Sequence, residues 1–238
     1  CLREVAWNPS GEGPSSFMTG ALYDVELQAG GRHALALVFP FSTPMDREAE
    51  AAVCALRYDE KAAEVVSYWR AHLQACASLS VPEAALAGMA RAAIVHVAIG
   101  ARTERESGLT VLPAATWGYA ACGNEASWQV DLLDRVGRHD RAERYLTTFL
   151  KTQGQGRPEG RFTSPRGSFQ ARNVEGADGD GNPILGKGFG YNLDHGAIMA
   201  ALANHYWLTG DRDWLARVSP HLVEACEFVT RERRQTMV

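Results

Sequence analysis

Two short joints between helical segments constrain the fold most strongly. The stretches "VGRHDRAERYL" and "LTGDRDWLARV" share the frame Gly-x-x-Asp, at Gly137/Asp140 and Gly210/Asp213. Glycine is a common stop for one helix, and we expect each aspartate to cap the next helix. The other connections are long, at 103–123 and 153–193. Alternating short and long joints are typical of an array of helical hairpins whose long loops share one rim.

The spacing of apolar residues predicts most of the chain to be helical. Apolar residues recur at steps of three and four, which is the period of an amphipathic helix. On this basis we expect Trp128, Trp207 and Trp214 to be core residues, and His205 to be a buried histidine with its polar atoms satisfied. The predicted helices cover roughly 46–76, 82–102, 125–136, 140–152, 194–208 and 213–231.

The N-terminal region has a different period. The first ten to fifteen residues are rich in Gly, Pro and Ser and predict a loop. In "ALYDVELQAGGRHALALVFPF" apolar residues alternate on both sides of Ala29-Gly30-Gly31, which predicts a β-hairpin. A lone hairpin cannot bury its apolar face. We therefore expect 1–45 to be the edge of an upstream β-domain, 46–80 a helical linker, and 81–238 an array of helical hairpins.

Composition excludes some classes of partner. The net charge of -4 gives no basic surface for nucleic acid. The most apolar helix contains Arg91 and His96, so it predicts a buried helix and no membrane span. Five separated cysteines favour neither a disulfide framework nor a zinc site, and mildly favour a reducing, cytoplasmic compartment. Because the chain opens on Cys1 and ends directly after a helical pattern, we expect it to be an internal piece of a longer protein.

The order of these motifs resembles the six-hairpin glycosidase superfamily. The features in question are "VFPF", "VSYWRAHL", "VPEAALAGMARAA", "YAACGNEASWQVDLLDRVGRHDRAERYLTTFL" and "DHGAIMAALANHYWLTGDRDWL". The resemblance implies a mainly α fold, in which helical hairpins form the first part of an (α/α)6 toroid. It also implies a preceding β-sandwich and a carbohydrate substrate bound where the long loops lead into the inner helices.

Two carboxylates are the candidate catalytic groups. Inverting glycosidases pair an acid with a base about 6.5–9.5 Å apart. Glu125 precedes a predicted inner helix and is the candidate acid. Asp194 and His195 begin another such helix directly after the longest loop. Asp194 is a second candidate for catalysis or sugar binding, and His195 a candidate for sugar binding. All three also have an ordinary interpretation as residues of a first helical turn.

The loops supply further candidate contacts to a sugar. Arginines bind hydroxyls or a carboxylate, and aromatic rings stack on sugar rings. "DGDGNP" at 178–183 partly matches a calcium loop, but Pro183 occupies the position of the turn glycine, so an ordinary turn is favoured. The candidate substrate-binding residues are Trp117, Tyr119, Asn124, Glu159, Arg161, Arg166, Tyr191 and His195.

Three functions remain open at this stage. The first is hydrolysis of glycosidic bonds in an oligo- or polysaccharide, with no cofactor and no metal. The second is a toroidal sugar epimerase or polysaccharide lyase, in which His195, His205 or Tyr191 transfers a proton. The third is a non-catalytic scaffold that binds a glycan or a protein.

Overall fold

A computed structural model describes residues 2–7, 18–23, 25–35, 37–38, 46–113, 120–156, 161–178, 182–189 and 192–236. The described chain is mainly helical, as predicted. It divides into two compact units, Cys1–Phe39 and Pro40–Val238.

The first unit contains a β-hairpin, but between other segments than those predicted. Strand β1 (Leu2–Trp7) pairs antiparallel with β2 (Met18–Tyr23). The predicted turn does form, since Gly30 has φ 76° and the N–H of Gly31 donates to the carbonyl of Gln28. The described residues beside that turn are not strands. The predicted initial loop is a strand over Leu2–Trp7, and the rest of it, 8–17, lies outside the described residues. The prediction of a hairpin around Gly30 was wrong, because alternation indicates a strand and does not identify its partner.

The second unit holds the seven described helices, and each predicted helical segment is found. The predicted helix over 46–76 is split into two by residues 55–57. Asp46 caps the first of these, because its carboxylate accepts the N–H of Ala49 at 2.8 Å. The helices are α1 (Arg47–Cys54), α2 (Tyr58–Gln74), α3 (Ala84–Gly100), α4 (Gly123–Arg135), α5 (His139–Thr152), α6 (Asn192–Thr209) and α7 (Arg212–Thr236).

The short joints have the predicted glycines but different caps. Gly137 and Gly210 end their helices with φ of 79° and 68°. The next helices start earlier than the frame Gly-x-x-Asp requires. Asp211 therefore caps α7, accepting the N–H groups of Asp213 and Trp214 at 2.8 and 3.1 Å. Asp140 lies inside α5 and pairs with the guanidinium of Arg138 instead. The predicted capping by Asp140 and Asp213 was wrong.

The long connections contain strands, which the sequence did not predict. Strands β3 (Arg102–Thr103) and β4 (Thr110–Val111) form one small hairpin, and β5 (Ala171–Ala177) and β6 (Pro183–Phe189) form another. The Asp178 carboxylate accepts the N–H of Asn182 at 2.8 Å and helps to close the second hairpin. This is the turn-like role favoured for 178–183 over a calcium loop.

Helices α4 and α6 lie side by side and run parallel. At their first turns, the Asp194 carboxylate of α6 accepts the N–H of Asn124 in α4 at 3.0 Å. Near their last turns, the imidazole of His205 in α6 contacts the carboxylate of Asp134 in α4 at 2.8 Å. Helix α7 runs back along α6: the Trp214 indole near the start of α7 donates to the carbonyl of Leu202, and the carbonyl of Ala225, further along α7, accepts from His195 at the start of α6. Parallel helices joined by returning ones are the arrangement expected of consecutive helical hairpins.

The core lies among α4, α5, α6 and α7. Trp214 belongs to it, as predicted, and is fully buried. Trp128 and Trp207 are 77% and 78% exposed, so their predicted burial was wrong. Helix α6 carries apolar residues on both its packed and its exposed sides, and periodicity alone does not distinguish them. The buried cluster includes Leu112, Ala126, Val130, Leu133, Tyr145, Leu146, Phe149, Phe169, Ile198, Leu202, Trp214 and Val218.

Gly123 makes the close approach of α4 to α6 possible. A Cβ at this position would lie 2.4 Å from Cδ1 of Ile198 and 3.2 Å from Cβ of Asp194. Ile198 is fully buried, so it has little room to move. The first residue of α4 must therefore be glycine if the two helix starts are to keep this separation.

We expect Gly123→Ala to lower the free energy of unfolding by about 1–3 kcal/mol, because it overpacks this contact. Gly196→Ala is the matched control, since a Cβ at this helical glycine would meet nothing within 4 Å. The control should raise stability by about 0.5–1 kcal/mol through the greater helix propensity of alanine. Urea unfolding measures both variants. Equal effects of the two substitutions would contradict the assigned contact.

Candidate functional site

The first turns of α4 and α6 bring two carboxylates to the same end of the helix pair. Asp194 is completely buried, and one of its oxygens accepts the N–H of Asn124. Its other oxygen, Oδ2, is buried and has no hydrogen-bond partner among the described residues. A buried polar atom normally has a partner, and an exception requires an explanation, such as a catalytic role.

Glu125 lies one residue beyond the N–H group that Asp194 accepts. Its Oε2 is likewise buried and without a partner among the residues that the structure describes. The side chain of Glu125 hydrogen-bonds the thiol of Cys122, and the charge of Asp194 also raises the pKa of that thiol. Glu125 and Asp194 therefore belong to one cluster. Each has a carboxylate oxygen without a partner among the described residues, which could accept a hydrogen bond from a ligand.

The thiol of Cys122 stays protonated in this cluster. Burial raises its pKa to about 12, and hydrogen bonding to Glu125 and the charges of Glu125 and Asp194 act in the same direction. A thiol is nucleophilic only as the thiolate. Cys122 is therefore unsuited to nucleophilic chemistry near neutral pH.

The segment entering β5 forms a wall beside these helix starts. Ala121 and Arg172 exchange main-chain hydrogen bonds at 2.9 and 3.1 Å, which ties the entry of α4 to β5. Two residues earlier, the Gln170 side-chain nitrogen donates to the carbonyl of Gly156 at 2.8 Å. Its Oε1 is a third buried polar atom without a hydrogen-bond partner among the described residues.

His195 joins that wall to the helices. Its Nδ1 accepts the N–H of Phe169 at 3.0 Å, and its Nε2 lies 3.3 Å from the carbonyl of Ala225, to which it donates. Burial lowers its pKa, so the ring is held neutral. Both ring nitrogens are used by the main chain in this structure, and the predicted sugar contact by His195 would have to break one of these bonds.

Of the two candidate loop arginines, Arg166 lies against α7. Arg166 is exposed, and its Nε donates to the carboxylate of Glu224 at 2.9 Å. The same loop is anchored further along, where Thr163 donates to the buried carboxylate of Glu232. Arg161 is exposed at the start of this segment. The predicted roles of Arg161 and Arg166 in binding substrate stay predictions.

The remaining candidates divide into two groups. Asn124 is partly buried at the start of α4, and its main-chain N–H holds Asp194. Four others lie outside the described residues, namely Trp117, Tyr119, Glu159 and Tyr191. His205 is buried and hydrogen-bonded, as predicted, but at the opposite end of α6 from Asp194.

Sequence reasoning missed two features. Cys122 was noted only as one of five scattered cysteines, although it immediately precedes the helix that carries Glu125. Asp134 was not singled out at all. Helical register could have found it, because Asp134 lies as far beyond Gly123 as His205 lies beyond Asp194. In parallel helices whose starts are aligned, such positions are at the same depth.

No protein-family profile, curated protein sequence or solved structure matches the chain. Among the described residues, the structure has no helix with the length and apolar character needed to cross a membrane.

We expect Cys122 to resist alkylation by iodoacetamide at pH 8 in the folded chain. A pKa near 12 leaves about one thiol in ten thousand ionised at that pH. Cys54 and Cys226 are exposed and serve as internal controls that should be labelled. Peptide mass spectrometry gives the extent of labelling at each site, and urea should make Cys122 reactive. Labelling of Cys122 as fast as Cys226 in the folded chain would contradict the burial of this thiol beside Glu125 and Asp194.

Proposed function

We propose that the chain is part of a carbohydrate-active enzyme that hydrolyses glycosidic bonds in an oligo- or polysaccharide by an inverting mechanism. The observation that supports this most is the cluster of Glu125 and Asp194, each with a buried, unpaired carboxylate oxygen at the same end of two parallel helices. We further propose that these helices belong to an (α/α)6 toroid, as the resemblance to six-hairpin glycosidases implies.

In this mechanism Glu125 is the general acid. It donates its proton to the glycosidic oxygen as the bond from that oxygen to the anomeric carbon breaks. Water attacks the anomeric carbon from the opposite face, and a second carboxylate, which we do not assign in this chain, removes its proton. The reaction is balanced, since one water is consumed and one hydroxyl group is formed on each of the two sugar products.

Asp194 has a different part in the proposal. Its Oδ1 is held by the main chain of α4, which fixes the direction of the carboxylate. Its unpaired Oδ2 is suited to accept a hydrogen bond from a sugar hydroxyl. A rigid acceptor of this kind orients the sugar ring with respect to Glu125.

The histidine environment favours hydrolysis over the epimerase or lyase alternative. That alternative needs a histidine or tyrosine that exchanges protons with a sugar carbon. Both nitrogens of His195 are engaged by main-chain groups, and His205 is held by Asp134 at the far end of α6. Tyr191 lies outside the described residues.

The reaction class is tested with the product of the full open reading frame, incubated with a panel of aryl glycosides and polysaccharides. Proton NMR identifies the first-formed anomer. We expect a hydrolysed sugar with inverted configuration. An unsaturated or epimerised product would support the alternative and remove the hydrolase proposal, as would failure to hydrolyse any glycoside.

We expect Glu125→Gln to lower kcat by about 10²–10⁴-fold on a glycoside with a poor leaving group, because general acid catalysis typically contributes that much. A dinitrophenyl glycoside needs little protonation of its leaving group, so it should retain much more activity. Glu143→Gln is the matched control, since Glu143 forms an exposed ion pair with Arg217 and should leave kcat unchanged. A loss in Glu125→Gln that is equal for both leaving groups would contradict the acid role.

A further inference from the structure

A second cluster of side chains with metal-binding chemistry lies at the other end of the helix pair. It comprises Asp134 near the end of α4, His139 at the start of α5, and His205 in α6. The Asp134 Oδ1 is 2.8 Å from Nδ1 of His139 and 2.8 Å from Nδ1 of His205. One carboxylate therefore faces two imidazoles that come from two other helices.

The spacing of these groups is compatible with a single metal ion. One ligand atom from each residue lies within 4.8 Å of those of the other two. In tetrahedral zinc sites the ligands lie about 2.0–2.2 Å from the ion, so neighbouring ligand atoms are about 3.3 Å apart. Small rotations of the three side chains would bring the present separations to that value.

The cluster is largely buried, but an ion can reach it from solvent. The side chains of Asp134 and His205 are only 1% and 2% exposed, whereas that of His139 is 41% exposed. The ring of Trp214 packs edge-on against His205 with centroids 4.7 Å apart, which excludes water from the inner side. The exposed side of His139 gives an ion a way in from solvent, and solvent would supply a water molecule as the fourth ligand.

The ligand set identifies the class of ion. Two imidazoles and one carboxylate suit zinc and the neighbouring divalent transition metals. Calcium and magnesium prefer sites composed of oxygen ligands, so they fit poorly here. A divalent ion would also compensate the charge of the Asp134 carboxylate, whose hydrogen bonds among the described residues come from the two imidazoles.

We propose that Asp134, His139 and His205 form a site for a divalent transition metal, zinc first among them, that fastens α4, α5 and α6 together. The site lies at the opposite end of α4 and α6 from Glu125 and Asp194, so it is separate from the groups of the proposed hydrolysis. Metal that binds the folded chain and not the unfolded one raises its stability.

The test uses the whole chain after treatment with a chelator, and zinc chloride as the probe. Isothermal titration gives the dissociation constant, and thermal unfolding with and without zinc gives the increment in Tm. His139→Ala is the informative variant, because His139 is partly exposed at a helix start and its loss should leave the fold intact. His96→Ala is the control, since His96 is an exposed histidine on α3.

We expect zinc to bind the wild-type chain with micromolar affinity or better and to raise its Tm. His139→Ala should weaken zinc binding at least about tenfold and lose most of the Tm increment, whereas His96→Ala should keep both. Cobalt substitution should give visible ligand-field bands that His139→Ala lacks. The proposal is overturned if zinc does not raise the wild-type Tm, or if His139→Ala keeps the wild-type affinity and Tm increment, as it would if the exposed cysteines held the metal.

Discussion

The parallel contact between α4 and α6 is the interaction on which the rest of the structure depends. At one end Gly123 lets the helix starts approach until the Asp194 carboxylate reaches the N–H of Asn124. At the other end His205 reaches the carboxylate of Asp134. Between these ends the packing is apolar and includes Ile198, which is fully buried. Because the two polar contacts align the helices in register, they decide which side chains meet at each end.

The two ends of this helix pair are chemically different. At the first turns the carboxylates of Glu125 and Asp194 each keep a buried oxygen without a partner among the described residues, and a protonated thiol lies beside them. At the last turns the carboxylate of Asp134 is matched by two imidazoles. The first arrangement is suited to a ligand that supplies hydroxyl hydrogens, and the second to a cation. This asymmetry is why we propose a sugar at one end and a metal at the other.

The helices could be predicted from the sequence, because apolar residues at helical spacing must face a core wherever the helices pack. The stops at Gly137 and Gly210 were predictable for a local reason, the positive φ that glycine adopts. The sequence predicts Asp213 as the cap of α7, whereas the cap is Asp211. A difference of two residues in the start of the helix changes which aspartate caps it. The partner of β2, and the exposure of Trp128 and Trp207, depend on long-range packing that local periodicity does not contain.

The candidate site was predictable in part for the same reason. Glu125 and Asp194 could be singled out because they begin helices after long loops, and hairpin repeats place such positions on one rim. The engagement of His195 with Phe169 and Ala225 could not be foreseen, since its partners come from a loop and from another helix. Asp134 and His139 meet His205 only once α4 and α6 are in register.

The central claim is that Glu125 and Asp194 act together on one sugar. A double-mutant cycle of Glu125→Gln and Asp194→Asn, read as kcat/KM on a glycoside that the enzyme hydrolyses, tests it most directly. In Asp194→Asn, the amide oxygen can still accept the N–H of Asn124, while the amide nitrogen replaces the unpaired Oδ2. The account predicts that the double variant loses much less activity than the product of the two single losses, because residues of one catalytic unit are not additive. Multiplicative losses, or no loss in either single variant, would contradict it.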